Sequence, residues 1–426
     1  MDRRRALLGL AGTALVPTAF AATPPAARTR PNVLFILADD LGYGDLSCYG
    51  RRDYRTPVLD GLAAQGVRLT SAYSNSPVCT ATRVALITGR YQYRFPIGLE
   101  EPLTPARDVG LSPEVATLPA VLRDAGYATA LVGKWHLGEL PKYGPLQSGY
   151  EQFWGFRGGG VDYFTHAGAR SDERDLWDGD TRVETSGYLT TLLGDRALDV
   201  LEGFARRRAP FLLSLHFSAP HWPWQGPDDT AESARLAKIP GPFALHHYDG
   251  GSLATYAELV TSMDAQIGRV LATLERLGLA ENTIVVFTSD NGGERFSDTW
   301  PFSGRKFELL EGGIRVPAIV RWPGQVRAGT VSDAPVLSMD WMPTFLAAAG
   351  VAAPAPLDGL DVADALRGSA LPERTLFWRY RNLDQQAARR GRYKYLRIGG
   401  NAFLFDVAAD PLERANLKAR EPQHFA

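Results

Sequence analysis

The expected fold class is α/β: a large mixed, mostly parallel sheet sandwiched by helices, with a smaller C-terminal antiparallel sheet subdomain. Three observations lead there. Four short apolar runs lack polar alternation, as strands covered on both faces require. Helical segments separate them, so strand and helix alternate along the chain. After about Gly350 the character changes to a proline- and alanine-rich stretch followed by short strand-like pieces. The 426 residues exceed one ordinary domain and suit one large α/β unit with an appendage.

Taken in order, the chain opens with Arg3-Arg4-Arg5, an apolar stretch interrupted by Pro17, and small residues around Ala19-Phe20-Ala21. Residues 1–22 read as an export signal, which places the mature protein outside the cytoplasm, in the periplasm. The consecutive arginines suggest the twin-arginine route; an ordinary general-secretion signal is the other reading. The catalytic unit is expected over 28–350. Its first strand, 33–37, runs into Asp39-Asp40. A helix over 118–125 ends at Gly126, and the strand 128–132 leads to Lys134 and His136. The strand 211–215 passes through His216 to Pro220-His221. A helix over 253–277 ends at Gly278, and the strand 283–288 runs into Asp290-Asn291. Residues 352–356 form a linker, and the subdomain 351–426 carries strands around Phe377–Tyr380, Tyr393–Leu396 and Phe403–Phe405.

Composition narrows the function classes. A net charge of −1 gives no sign of nucleic acid or an acidic partner, and no apolar run is long enough for membrane insertion. Cys48 and Cys79 are the only cysteines. A disulfide between them is not expected, because Cys79 carries chemistry and a chain of this size needs no staple.

In open α/β sheets ligands collect at the carboxyl ends of the strands, so the four polar endings converge on one edge. Asp39, Asp40, Asp290 and Asn291 supply hard oxygen ligands only, a set for Ca²⁺ or Mg²⁺ rather than Zn²⁺. Either pair alone reads as a cap or a turn; two pairs on one edge read as a metal site. Arg83, Lys134 and Lys306 add positive charge suited to a tetrahedral oxyanion, sulfate or phosphate. His136 and His221 are the proton carriers. His166, His216, His246 and His247 read as structural or substrate-pocket residues. Cys79 opens Cys79-Thr80-Ala81-Thr82-Arg83 at a helix N-terminus, with Arg83 one turn on and on the same face.

These residues resemble the type I sulfatases, of arylsulfatase and glycan-sulfatase kind, within the alkaline phosphatase superfamily. The resemblance spans nearly the whole mature chain: Pro31-Asn32-Val33 to Asp45, Thr56 to Asp60, Cys79 to Arg90, Gly133 to Gly138, Ala219-Pro220-His221, Thr288 to Gly293, Lys306 to Pro317, and Leu404-Phe405-Asp406 with Asp410-Pro411. It implies a sulfuric ester hydrolase acting on a sulfated carbohydrate or an aryl sulfate. Cys79 would be matured to Cα-formylglycine by a dedicated maturation enzyme, and its hydrated aldehyde would attack sulfur. The divalent metal would be held by Asp39, Asp40, Asp290, Asn291 and residue 79. Arg83 and Lys134 would hold the formylglycine, His221 or Lys306 would protonate the departing alcohol, and His136 would take the proton that lets sulfate leave. The third place of the pentapeptide is usually proline and here is Ala81, which leaves open which type of maturation enzyme acts.

Two other readings stand beside this one. A phosphatase or phosphonate hydrolase of the same superfamily would prefer aryl phosphate over aryl sulfate. A non-catalytic binder of sulfated glycans would use residues 374–397, where eight basic side chains (Arg374, Arg379, Arg381, Arg389, Arg390, Arg392, Lys394, Arg397) face one acid, Asp384. Such a run is a solvated face or a recruiting surface for a polyanion. Tyr91, Tyr93, Arg94, Trp154, Trp177, Trp222, Trp224 and Trp300 lie near the site motifs and read as sugar-stacking groups or as packing.

Overall fold

Residues 30–104, 108–168, 173–241 and 244–425 are described by the computed structural model. The export signal expected over 1–22 lies outside them. Ten strands form the main sheet in the order Thr330–Ser332, Val67–Leu69, Ala318–Arg321, Thr283–Ser289, Asn32–Ala38, Phe211–His216, Ala128–Lys134, Gln152–Phe156, Trp177–Asp178 and Thr181–Arg182. The five strands from Thr283–Ser289 to Gln152–Phe156 run parallel. Ala318–Arg321 is antiparallel to both neighbours, and the Trp177 hairpin closes the far edge antiparallel.

The continuous apolar runs have a direct cause. Leu34, Ile36 and Ala38 enter one core with the helices Leu189–Arg207 and Leu253–Arg276. Val33, Phe35 and Leu37 point the other way, into a core built with Cys79–Thr88, Leu118–Asp124 and Trp341–Ala349. Successive strand side chains alternate between faces, so two covered faces demand apolar residues at every position. Helix ends follow local chemistry. Ser252 caps Leu253–Arg276 by accepting from Thr255 N–H at 3.0 Å, and Thr117 does the same for Leu118–Asp124 through Ala120 N–H at 3.3 Å.

Register brings the polar strand ends together. Ala38 pairs with Ser289, which sets Asp39-Asp40 beside Asp290-Asn291. Gly133 pairs with His216, which sets Lys134 at the same level two strands away.

The C-terminal sheet has four antiparallel strands, Thr375–Tyr380, Gln385–Arg390, Tyr393–Ile398 and Asn401–Asp406. Three were expected; Gln385–Arg390 was missed because Gln-Gln-Ala-Ala-Arg-Arg has no β-branched or aromatic residue. It is a strand because neighbours pair with it on both sides, which overrides weak propensity. Leu376, Trp378, Tyr380 and Leu396 pack on Val78, Ala81 and Ala85, so this sheet supports the helix that carries Cys79.

Much of the basic run over residues 374–397 is paired within the fold. Arg374 pairs with Asp340, Arg389 bonds Tyr73, Arg390 pairs with Glu373, Arg392 with Asp406, and Arg397 with Asp384. Lys394 is fully buried, bridging Glu311 at 3.0 Å and Glu413 at 2.9 Å. The acids that pair with Arg374, Arg392 and Lys394 come from elsewhere in the chain, which a local count does not see.

Burial opposes ionisation of Glu311, yet the Lys394 ammonium and the Arg315 guanidinium hold its carboxyl down at about 2. Lys394→Met would leave two buried carboxylates facing each other with no ammonium between them. The expected loss is about 3–5 kcal/mol of stability, read as a lower urea midpoint; an unchanged midpoint would show that the cluster contributes nothing net.

Candidate active site

Cys79 begins the helix Cys79–Thr88 after the extended Val78, and Gly89 in the left-handed region (φ 64°) ends it. The approach is fixed by Thr82, whose Oγ1 accepts from Ser76 N–H and donates to Ser76 O, both at 3.0 Å. Cys79 lies at the inner end of a cavity of about 800 Å³ that also reaches His136, His221 and Lys306. Burial pushes its thiol above the usual cysteine range, although Lys134 and Lys306 act the other way. As encoded, the side chain is a neutral thiol at neutral pH and a poor nucleophile.

His136 Nδ1 lies 3.2 Å from Cys79 Sγ, and its Nε2 lies 3.1 Å from Leu103 O. A carbonyl only accepts, so Nε2 carries the hydrogen and Nδ1 presents a lone pair to residue 79. Burial, then Lys134, lowers the His136 pKa well below the ordinary histidine value. His136 therefore stays unprotonated through mildly acidic pH, where an ordinary histidine would be charged. If it acts as a base, the acid limb of the kcat profile should fall below pH 6.5. An acid limb above 6.5 would contradict this.

Three carboxylates and one amide meet at the same edge. Lys134 Nζ bonds Asp39 Oδ2 at 2.5 Å and Lys306 Nζ bonds Asp40 Oδ2 at 2.6 Å. Arg83 forks onto Asp290 Oδ2 through Nε and Nη2, at 3.0 and 2.8 Å. Its Nη1 donates to Lys134 O at 3.1 Å and faces His216 Nδ1 at 3.3 Å. Asn291 Nδ2 donates to Asp40 Oδ1 at 2.7 Å. Burial and the Asp290 charge push Asp39 well above the carboxylate range. Burial also opposes Asp40, but Lys306 and His221 hold it at about 2.

These residues fit a hard divalent cation. Asp39 Oδ1 and Asn291 Oδ1 are buried without hydrogen-bond partners. Ligand atoms of Asp39, Cys79 and Asp290 lie within 4.8 Å of one another, as do those of Asp39, Asp40 and His221. The oxygen-rich donor set matches Ca²⁺ or Mg²⁺.

Asp40 (φ 64°) and His136 (φ 59°) sit in the left-handed region without being glycine. Such backbone costs on the order of 1–3 kcal/mol and concentrates at functional sites. His221 Nδ1 lies 2.7 Å from Trp222 O and therefore donates to it, leaving Nε2 3.6 Å from Asp40 Oδ2.

Every site residue named from the sequence reaches this edge. Arg83 serves Asp290 and the Lys134 carbonyl rather than hydrogen-bonding Cys79 itself. Of the other histidines, His216 lies under Arg83, His246 lines the cavity, and His166 and His247 bond Gly187 O and Glu232. Trp177, Trp222 and Trp224 line the cavity, whereas Trp154 is core and Trp300 is exposed.

Two contributions were missed. Tyr380 and Asn382 of the C-terminal sheet reach the cavity, and nothing local announces that. Gly158-Gly159-Gly160 forms part of the wall, and three consecutive glycines were a readable signal. A Cβ on Gly159 would lie 2.8 Å from His136 Cε1. Gly159→Ala should therefore displace the ring and lower kcat about 10- to 100-fold, with the thermal midpoint nearly unchanged; steady-state kinetics and a melting curve separate the two.

Among the described residues, no helix is long and apolar enough to cross a membrane. The Sulfatase family profile matches residues 31–351, and the profile of the N-sulphoglucosamine sulphohydrolase C-terminal region matches residues 302–424. The N-acetylgalactosamine-6-sulfatase of Canis lupus familiaris is 34% identical over 389 residues, covering 85% of this chain and 71% of that protein. The steryl-sulfatase of Mus musculus is 34% identical over 483 residues, covering 91% and 73%. The crystal structure of Ps i-CgsB in complex with k-i-k-neocarrahexaose superposes with a TM-score of 0.80 at 29% identity, covering 92% of this chain and 90% of that one. A match over three quarters of the chain places it in the sulfatase family.

Proposed function

We propose that this sulfuric ester hydrolase releases inorganic sulfate from a sulfated carbohydrate, with residue 79 acting as Cα-formylglycine. The observation that carries the reading is the His136 Nδ1 lone pair on the residue-79 side chain, beside a carboxylate-rich cluster able to hold a metal. The carbohydrate class is supported by the amino-sugar sulfatase among the relatives and by the neighbour that binds a neocarrahexaose.

Once formed, the formylglycine hydrate supplies a hydroxyl able to attack sulfur and a second hydroxyl whose proton can later be removed. A bound Ca²⁺ or Mg²⁺, held by Asp39, Asp40, Asp290, Asn291 and residue 79, supplies Lewis-acid charge stabilisation on the sulfate oxygens. The remaining roles belong to the chain. Arg83, Lys134 and Lys306 balance Asp39, Asp40 and Asp290 one for one, so a divalent cation leaves excess positive charge that an anionic ester offsets. Arg83 fixes Asp290, and Lys134 orients residue 79 from beside Asp39. His221 and Lys306 line the cavity. His221 Nδ1 donates to Trp222 O, so a neutral ring presents a lone pair at Nε2, and the Lys306 ammonium is the group that holds a proton for the departing ester oxygen. His136 Nδ1 removes the proton from residue 79 that restores the resting state. This reading brings with it export to the periplasm and a maturation enzyme as partner.

The deciding experiment is a tryptic-peptide mass of the Cys79 region in protein from its native host, paired with sulfate release. A loss of about 18 Da, the exchange of sulfhydryl for aldehyde, together with aryl sulfate turnover exceeding aryl phosphate turnover, supports the proposal. Unmodified cysteine in active native protein would overturn it.

A further inference from the structure

Beyond His221 the cavity continues along a row of rings. Trp222 lies against His221 with centroids 4.2 Å apart, His246 against Trp222 at 4.3 Å with 30° between planes, and Tyr248 against His246 at 5.4 Å and 7°. All four line the cavity. Exposure grows outward along the row: His221 is 3% exposed, Trp222 and His246 are intermediate, and Tyr248 is 75% exposed.

The loop carrying the outer rings is pinned. The Arg295 guanidinium donates to the His247 carbonyl and, at 2.8 Å, to the Tyr248 carbonyl, and it covers Trp224 at 4.1 Å. His247 accepts from Trp224 N–H at Nδ1 and contacts Glu232 at 2.5 Å through Nε2. Arg295 follows Asp290 and Asn291 by only a few residues, so the row is tied to the metal-cradle loop. Core packing does not account for Tyr248, since a ring that exposed gains little from burial. The inner rings pack on one another, Trp222 against His246 at 4.3 Å, so they hold Tyr248 in fixed orientation and leave its exposed side open at the cavity mouth. A flat ring held this way suits a ligand with a C–H face, as a pyranose ring has.

We propose that Tyr248, backed by the stacked His246 and Trp222 rings, is the platform of a subsite for the sugar unit next to the sulfated one, so that the substrate is an oligosaccharide or polysaccharide rather than a small sulfate ester. This rests on the sulfatase reading above. The sulfated unit sits over residue 79, and its neighbour stacks on Tyr248 toward solvent.

The test compares matured wild type, Tyr248→Ala and Tyr248→Phe on 4-nitrophenyl sulfate and on size-fractionated di-, tetra- and hexasaccharides of chondroitin 6-sulfate and carrageenan. In wild type, kcat/KM should rise about 10-fold or more from the small ester to a tetrasaccharide, in line with one stacked ring. Tyr248→Ala should lose that gain through KM and leave 4-nitrophenyl sulfate unchanged, and Tyr248→Phe should retain it. Equal losses on both substrate types, no loss on either, or turnover of the aryl ester with none of the glycans would overturn the subsite while leaving the sulfatase reading intact. Absence of sulfate release from every ester by protein with matured residue 79 would take both down.

Discussion

Cys79→Ala should abolish sulfate release, lowering kcat/KM by a factor on the order of 10⁴ or more, because an alanine methyl cannot be converted to the proposed formylglycine. The fold should survive. The substitution removes one buried sulfur and its contact with His136 Nδ1, a loss of about 1 kcal/mol. The helix it begins is held by other means: Thr82 locks the approach, and Ala81 and Ala85 pack into the third core. Cys79→Ser is the sharper variant. A serine hydroxyl offers no second proton for His136 to remove, so turnover should remain lost while metal and ligand binding persist. Turnover of either variant near the wild-type rate would place the nucleophile elsewhere. The expected pattern is a catalytically dead protein with a nearly unchanged urea midpoint.

Asp290→Ala should damage both chemistry and stability. The Asp290 carboxylate receives both arms of the Arg83 fork, and Arg83 is 2% exposed. Without Asp290 the buried guanidinium keeps only the more distant Asp39 carboxylate at 3.8 Å, and the loss approaches the roughly 3–5 kcal/mol of a broken buried pair. The same change removes a ligand from the cradle. Affinity for Ca²⁺ should fall by more than the roughly 10- to 100-fold that loss of an outer-sphere partner costs. Asp290→Asn separates the two effects. Its amide oxygen still accepts from Arg83, so most stability should return while metal affinity and turnover stay low. Calorimetric titration of Ca²⁺ into metal-free protein, with urea unfolding alongside, reads both. Full activity of Asp290→Asn, or of wild type after exhaustive chelation, would contradict the metal assignment.

The main strands were legible because two covered faces impose a continuous apolar run, a pattern visible in any window of five residues. The helix over Leu253–Arg276 was legible from its periodic apolar positions and the glycine beyond it. The site followed from one rule, that strand carboxyl ends share an edge, applied to Asp39, Asp40, Lys134, His221 and Asp290. Gln385–Arg390 was not legible, since its pairing partners rather than its side chains make it a strand. The pairing of the basic run was hidden for a related reason: Glu311, Asp340 and Glu413, which hold Lys394 and Arg374, are distant in sequence.

The sequence by itself determined the two-faced sheet, the identities of the groups at its active edge and the family they belong to. These are set by local patterns and by residue chemistry, which require no knowledge of distant contacts. The tertiary structure alone decided which nitrogen of His136 faces Cys79, which cation each carboxylate holds, and that Trp222, His246 and Tyr248 stand in one row. Each of those depends on atoms brought within about 3–5 Å from segments far apart in the chain. Hydrogen bonds, ion pairs and ring stacking act only at that range.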